Sequence, residues 1–340
     1  MTADRRPGRL QPRLNPRLLP SPWGRIVIWT LVAAAVGYRV PTWWHGRGPD
    51  NGFALHETLI DRAEILPGGP GRDGIASIDR PRFHSAGQTR LAGGELVLGI
   101  DHRGQARAYP VAVLERHEIV NDRIDGQPVV VSFCPLCGTG LAFHAEADGQ
   151  ALEFGVSGLL YRSNLLLYDR ATESLWTQMG GRAVSGPLSG RRLAPLPVRH
   201  TTWADWRTRH PHSTVLRAPA LTAVRLRGAS PYADYAQSPD LWQPVGLPDR
   251  RLPLKEPVIG VVLDGQAKAW ALRALATLPA PLPDRVGGQA VSVHYDAGSD
   301  SAEVRGADGH PLATTRGYWF AWAAFHPDTQ IGPSGAVGEN

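Results

Sequence analysis

The residues best suited to chemistry in this 340-residue sequence are its only two cysteines, Cys134 and Cys137, in the stretch VVVSFCPLCGTGLAF. The pair follows an apolar run and is closed by Gly138 and Gly140, so we expect both sulfurs at a turn after a β-strand. Two thiolates at this spacing can chelate one soft metal ion or close into a disulfide. The spacing therefore predicts a thiol site, whose kind depends on its neighbours.

A metal site needs ligands beyond the two sulfurs. The nearest imidazoles along the chain are His117, in LERHEIVND, and His144, in LAFHAEAD. Sulfur and imidazole ligands suit copper and zinc. We therefore predict a site for copper or zinc at Cys134 and Cys137, with His117 as the favoured third ligand and His144 as a further candidate. A histidine alone is more often an ordinary surface or capping residue than a metal ligand.

Two other interpretations of the cysteine pair remain open. In the first, the protein is an enzyme that uses Cys134 as a redox-active or nucleophilic thiol, with His117 as its base and backbone N–H groups near Gly138 and Gly140 holding an oxyanion. In the second, the protein is a non-catalytic scaffold and the cysteines form a structural disulfide. A disulfide across so short a loop constrains the unfolded chain little, so it would stabilise a domain of this size only weakly.

Polar residues are denser around the cysteines than a plain β-scaffold requires. They fall in three segments: His117, Glu118, Asn121 and Asp122; then Tyr161, Arg162, Ser163 and Asn164; then Asp169, Arg170, Trp176 and Gln178. Individual Asn, Asp and Ser residues are common turn formers whose side chains bond to nearby backbone. As a group they favour a polar site, because an apolar sheet face needs none of them.

The sequence contains an internal repeat. Residues 97–133 and 258–295 share an apolar strand, a Gly-Gln turn and a second Asp-Arg-x-x-Gly-Gln turn before a Val-rich strand. A later frame, Trp-x-x-Trp-x-x-x-His-Pro, begins at Trp203 and again at Trp319, and predicts short helices ended by proline. In the second copy the positions of the two cysteines are occupied by Asp296 and Ser299. Only the first copy therefore carries the thiol site.

These patterns predict a β-rich α+β fold, with two degenerate repeats of β-hairpins plus short helices in one compact body. The predicted organisation is a basic leader (1–25), an apolar segment (26–40), a first repeat with the thiol site and an insertion (48–217), a connection (218–256) and a second repeat (257–332). The connection contains several prolines, so we expect it to be irregular.

The N-terminus predicts export or membrane anchoring. Six arginines stand against Asp4 in residues 1–25, a net charge of +5, and the apolar run IVIWTLVAAAVGY follows at 26–38. A basic segment before a short apolar one is typical of a signal peptide or signal anchor, with the positive charge inside. We therefore expect the body to lie outside the cytoplasm, in the periplasm, with the N-terminal segment contacting the membrane.

The distribution of charge argues against nucleic acid as a partner. The whole chain has a formal net charge of +5, which the first 25 residues account for entirely, so the remaining residues balance to zero. Binding to phosphates needs a clustered basic face on the folded domain. We expect no nucleic-acid partner.

The stretch VVVSFCPLCGTGLAF, followed by FGVSGLLYRSNLLLYDRATESLWTQ and TTWADWRTRHPHSTVL, resembles a prokaryotic family known as domain of unknown function 3179. The resemblance covers roughly residues 65–328. It implies an exported or membrane-anchored bacterial protein. It supplies no activity, cofactor or catalytic residue.

Overall fold

The computed structural model describes residues 50–226 and 230–333, where the chain forms mainly short strands. In chain order these are β1 (Ile65–Pro67), β2 (Phe83–Ser85), β3 (Leu96–His102), β4 (Gln105–Pro110), β5 (Ile119–Ile124), β6 (Gln127–Cys134), β7 (Thr139–His144), β8 (Glu146–Ala147), β9 (Gln150–Ala151), β10 (Phe154–Tyr161), β11 (Asn164–Asp169), β12 (Leu175–Thr177), β13 (Arg182–Ser185), β14 (Pro195–Leu196), β15 (Arg199–Thr202), β16 (Thr214–Leu216), β17 (Pro257–Leu263), β18 (Gln266–Ala271), β19 (Leu282–Val286), β20 (Gln289–Asp296), β21 (Ser301–Gly306), β22 (Thr315–Tyr318) and β23 (Gln330–Ile331).

The helices are short. They are α1 (Val111–His117), α2 (Trp203–Arg209), α3 (Ala220–Arg225), α4 (Ala233–Gln237), α5 (Leu272–Leu275) and α6 (Trp319–Phe325), and a 3-10 turn spans Arg62–Glu64. Helices of one or two turns are marginal alone, so their stability comes from packing. In α2 and α6 this packing is provided by buried tryptophans.

The strands form small, separate sheets. Their orders are β1-β10-β11-β12-β13, β14-β7-β6-β5, β15-β3-β4-β16-β2, β22-β17-β18-β23, β19-β20-β21 and β8-β9. Most neighbours are antiparallel, whereas β16 lies parallel to β4 and β23 parallel to β18. The thiol site lies where β6 turns into β7, and the β10–β11 hairpin of another sheet reaches it.

Two-residue turns close several hairpins because their residues adopt positive φ. Arg103 and Gly104 have φ of 53° and 79°, and Asp125 and Gly126 have φ of 49° and 73°. In the second half, Asp264 and Gly265 have 49° and 76°. Turns with two positive φ values match the right-handed twist of the flanking strands. The Arg-Gly and Asp-Gly pairs at these turns thus fix the register of the hairpins that they close.

Two of the sheets have the same topology. The order β15-β3-β4-β16 in the first half corresponds to β22-β17-β18-β23 in the second, and in each the last pair is the parallel one. The β5–β6 hairpin likewise corresponds to β19–β20. The described chain therefore has a repeat-like arrangement.

The equivalent tryptophans of α2 and α6 pack in the same way. A Cβ added to Gly99 would lie 2.2 Å from the Trp206 ring, and one added to Gly260 would lie 2.5 Å from the Trp322 ring. Each indole N–H donates to a hydroxyl at 2.8 Å. Trp206 donates to Ser213 Oγ, and Trp322 donates to Thr329 Oγ1, the equivalent position in the second half. The glycines are needed because the indoles occupy the space of a side chain.

The predicted β-rich compact body with a few short helices is confirmed. Within the described parts of 218–256, two short helices, α3 and α4, interrupt an otherwise irregular path. The predicted leader (1–25) and apolar segment (26–40) lie outside the described residues. Among the residues that are described, none of the helices is both long and apolar enough to cross a membrane.

Candidate functional site

The cysteines sit at the end of β6 and in the turn that leads into β7. Cys134 is the last residue of β6 and pairs with Thr139 in the ladder, while the N–H of Cys137 donates to the Cys134 carbonyl at 3.2 Å. Gly138 has a φ of 63°, which allows the chain to reverse there. Both cysteines are free thiols and are buried, at 1% and 0% exposure.

The two thiols converge on one oxygen atom. Cys137 Sγ donates to the carbonyl oxygen of Ser163 at 3.2 Å, and Cys134 Sγ approaches the same oxygen at 3.7 Å. Both sulfurs therefore lie against a single carbonyl oxygen in the protein interior.

The Ser163 carbonyl is aimed by the turn between β10 and β11. Arg162 and Ser163 form this turn with φ of 52° and 62°, a region that non-glycine residues rarely adopt and that costs about 1–3 kcal/mol each. Arg162 is held by an ion pair with Glu64 at 3.1 Å and donates to the Ala324 carbonyl. Ser163 Oγ donates to the Gln243 carbonyl at 2.8 Å. Long-range contacts thus maintain a strained turn beside the sulfurs.

A buried polar network lies next to the thiols. Gln178 Oε1 accepts from Asn164 Nδ2 and from Thr139 Oγ1, both at 2.7 Å. Gln178 Nε2 donates to Ser132 Oγ at 3.2 Å and to the Thr139 carbonyl at 3.1 Å, and Asn164 Oδ1 accepts from the N–H of Met179 at 3.0 Å. A satisfied buried network makes a region rigid, so β6, β7, β11 and the Gln178 segment are locked together around the cysteines.

Burial controls the protonation of the site. Burial raises the pKa of the Cys137 thiol well above its usual range, and the adjacent Cys134 raises it further, while Asn164 acts in the opposite direction. Cys137 therefore remains a neutral thiol at neutral pH unless a bound cation compensates the charge of its thiolate.

Residues from other segments cover the cysteine turn. Tyr235 of α4 donates its hydroxyl to the Leu136 carbonyl at 3.0 Å, and the N–H of Tyr318 donates to the Cys137 carbonyl at 2.8 Å. Burial and the neighbouring Cys137 raise the pKa of both phenols. Since Gln243 also contacts Ser163, the connection between the two halves closes the site.

A mainly apolar cavity of about 330 Å³ adjoins the turn. Phe133, Pro135 and Gly138 contribute to its wall from the cysteine side, and Tyr232 and Tyr318 contribute from the covering segments. It offers a route by which a small species could approach the turn.

The structure does not bring His117 to the sulfurs. Its Nδ1 is 2.7 Å from the Ala76 carbonyl and its Nε2 is 2.6 Å from Thr222 Oγ1, so both ring nitrogens are engaged elsewhere. His144 is at the far end of β7, where it pairs with Val129. Among the residues that the structure describes, no group of three or more His, Cys, Asp or Glu side chains is arranged to hold a metal ion.

Glu118 follows His117 and enters the same region by an unusual backbone conformation. Its φ is 55°, and its carbonyl oxygen accepts from the N–H of Phe133 at 2.8 Å. Burial raises the pKa of its carboxyl to about 7. Burial thus favours the protonated form of a carboxyl whose residue is bonded through its backbone to the strand that carries Cys134.

Other members of the polar segments have structural partners. Asp122 accepts from Arg107 and Tyr109, and Asn121 bonds to the backbone of Phe154. Asp169 accepts from the indole N–H of Trp176 at 2.9 Å. These residues fasten strands and turns, whereas Asn164 and Gln178 belong to the network at the thiols.

Sequence reasoning missed the Ser163 carbonyl, Ser132, Thr139 and Tyr235. A backbone oxygen has no residue signature, and small hydroxyl residues inside apolar strands resemble ordinary strand positions. One available signal was the pair Arg162–Ser163 between two apolar runs, a two-residue hairpin turn without glycine.

The fold and site define a β-rich protein with a repeat-like arrangement and a buried thiol pair fixed by hydrogen bonds. Residues 72–311 match the family described as "Protein of unknown function (DUF3179)". This match spans more than half of the chain, so the protein belongs to that family, and the resemblance seen in the sequence is confirmed. No curated protein and no solved structure matches the chain.

Proposed function

We propose that the protein binds one soft metal ion through Cys134 Sγ and Cys137 Sγ, with the Ser163 carbonyl oxygen as a third donor. The observation that carries the proposal is the convergence of both sulfurs on that oxygen, at 3.7 and 3.2 Å. A plain structural pair of thiols would not require a strained turn directed at it.

Of the two predicted metals, the donor set favours copper in its monovalent form. Zinc sites are almost always four-coordinate when structural, or have three protein ligands and a water when catalytic. Soft thiolates select Cu(I), which tolerates fewer ligands. The ring of His117 would have to leave Ala76 and Thr222 to become a ligand.

A second candidate function is a thiol–disulfide couple, favoured by the approach of both thiols to the same Ser163 carbonyl oxygen and by the influence of Cys134 on the pKa of Cys137. Here the thiols would be oxidised by a partner disulfide that is reduced in exchange. The enzyme hypothesis with a nucleophilic Cys134 would require a base other than His117 in its present position.

We retain the N-terminal predictions as part of the proposal: a membrane-anchored or exported protein whose body lies outside the cytoplasm, without a nucleic-acid partner. The supporting observations are the arginine-rich leader and the apolar run at 26–38. Protease accessibility of the body in intact cells would test this topology.

We further propose that the two halves are degenerate repeats of one ancestral unit. The equivalents of the cysteines, Asp296 and Ser299, bond to each other at 2.9 Å in the turn after β20. A side-chain hydrogen bond in the second copy thus occupies the positions of the thiols in the first.

The test is an anaerobic Cu(I) titration of the full chain against a chromophoric chelator, together with counting of thiols. We expect one Cu(I) per chain in the wild type, and loss of that binding in Cys134→Ser and in Cys137→Ser. Ser299→Ala, at the equivalent position of the second half, is the matched control and should bind normally. Absence of binding, or equal binding in the cysteine variants, would refute the proposal. A reversible disulfide without metal binding would support the redox couple instead.

A further inference from the structure

A pair of histidines lies far from the cysteine turn. His102 is the last residue of β3 and His144 the last of β7, so the two come from different sheets. Their ring centroids are 5.1 Å apart and the ring planes are inclined by 72°. The fold therefore brings two imidazoles together that are 42 positions apart in the sequence.

One nitrogen of this pair has no partner. His102 Nε2 is buried and makes no hydrogen bond within the described residues. An unsatisfied buried polar atom costs roughly 1–3 kcal/mol, so its presence calls for an explanation. A ligand between the rings would provide one.

The surroundings of His144 favour the form of its ring that binds metals. Burial lowers the pKa of His144, and the neighbouring His102 and Arg103 lower it further, whereas Glu146 opposes them. A neutral imidazole is the metal-binding form of histidine.

We propose that His102 and His144 form a second metal site, which binds a borderline divalent transition ion such as Ni²⁺, Cu²⁺ or Zn²⁺ with water at the remaining positions. Imidazole nitrogen suits all three ions. The site is independent of the thiols, because Thr139, the ladder partner of Cys134, is five residues from His144 on β7. At about 3.4 Å per residue this is roughly 17 Å.

The test uses the full chain carrying Cys134→Ser and Cys137→Ser, so that the sulfurs do not compete, and Ni²⁺ as the probe in a calorimetric titration. We expect one high-affinity Ni²⁺ equivalent. His102→Gln and His144→Gln should each weaken it about tenfold or more, since even loss of an outer-sphere partner costs 10- to 100-fold. His56→Gln, an exposed histidine elsewhere, is the control and should leave binding unchanged.

Two results would overturn the proposal. One is a Ni²⁺ affinity that is the same in the two variants as in the parent. The other is absence of binding at about 0.1 mM Ni²⁺, since a dissociation constant of that size corresponds to about 5.5 kcal/mol of binding free energy. The contact would then be an edge-to-face packing of two rings. Because the parent lacks both cysteines, this result would be independent of whether the thiol pair binds Cu(I).

Discussion

At the residue scale, the thiol site depends on the environment of two sulfurs rather than on a rich set of ligands. Cys137 is completely buried, and its neighbours are a carbonyl oxygen, an amide and another thiol. Such surroundings favour a proton on sulfur and penalise a bare thiolate. The chemistry of the site therefore depends on what replaces that proton.

The raised pKa of Cys137 predicts slow alkylation at neutral pH. In Cys134→Ser, where burial still acts on the remaining thiol, the rate with iodoacetamide should rise about tenfold per pH unit to beyond pH 9, because only the thiolate reacts. In urea, where the same thiol is exposed, the alkylation rate should level off above its ordinary pKa of about 8.5. A folded-state profile that levels off near neutral pH would contradict the predicted environment.

Gln178 is predicted to be the residue on which the buried network most depends. Gln178→Ala would leave Ser132, Thr139 and Asn164 with unmet hydrogen bonds. We expect the free energy of unfolding to fall by about 3 kcal/mol, measured by urea denaturation. Gln237→Ala, on the exposed end of α4, should change it by less than about 0.5 kcal/mol. A comparable loss in both variants would deny Gln178 this role.

At the element scale, the sequence revealed the strands and turns but not how they meet. The Gly-Gln turns and the Trp-x-x-Trp frames gave the hairpins and helices, because those signals are local. The approach of the β10–β11 turn to the cysteines was not visible, since it depends on contacts of Arg162 with Glu64 and Ala324, far away in sequence. For the same reason, His117 was expected at the sulfurs, whereas its partners Ala76 and Thr222 occupy both nitrogens.

The covering segment should control access to the thiols. Tyr235→Phe removes the hydrogen bond to the Leu136 carbonyl, worth about 0.5–1.5 kcal/mol, and should speed the reaction with an aromatic disulfide reagent about two- to tenfold by favouring local opening. Tyr295→Phe removes a hydroxyl contact with Asp300 in the second half and serves as the control. Equal rates in both variants and the wild type would show that α4 does not limit access.

At the scale of the whole molecule, the two halves share a sheet topology and a way of packing tryptophan. The described residues from 50 onward belong to one compact unit, which agrees with the predicted single compact body. The second half has the same sheet order, and its turn after β20 holds Asp296 and Ser299. The repeat-like pattern was detectable in the sequence because similar packing constraints act on both halves.

This equivalence predicts matched effects of two glycine substitutions. Gly99→Ala and Gly260→Ala should each lower the free energy of unfolding by about 2–4 kcal/mol, because the new Cβ would collide with Trp206 or Trp322. Gly94→Ala, where a Cβ meets nothing within 4 Å, is the control. Thermal or urea unfolding would measure all three, and tolerance of alanine at either Gly99 or Gly260 would argue against the shared packing.

The β20–β21 turn also offers a host for grafting. Cys134 pairs with Thr139 and Asp296 with Ser301, so both hairpins place the two site positions at the same offsets. The double substitution Asp296→Cys and Ser299→Cys would place two cysteines at the same spacing in a hairpin that the Arg162–Ser163 turn does not contact. The chain thus contains an internal reference hairpin, in which the properties of the two sulfurs alone can be compared with those of sulfurs beside a carbonyl oxygen.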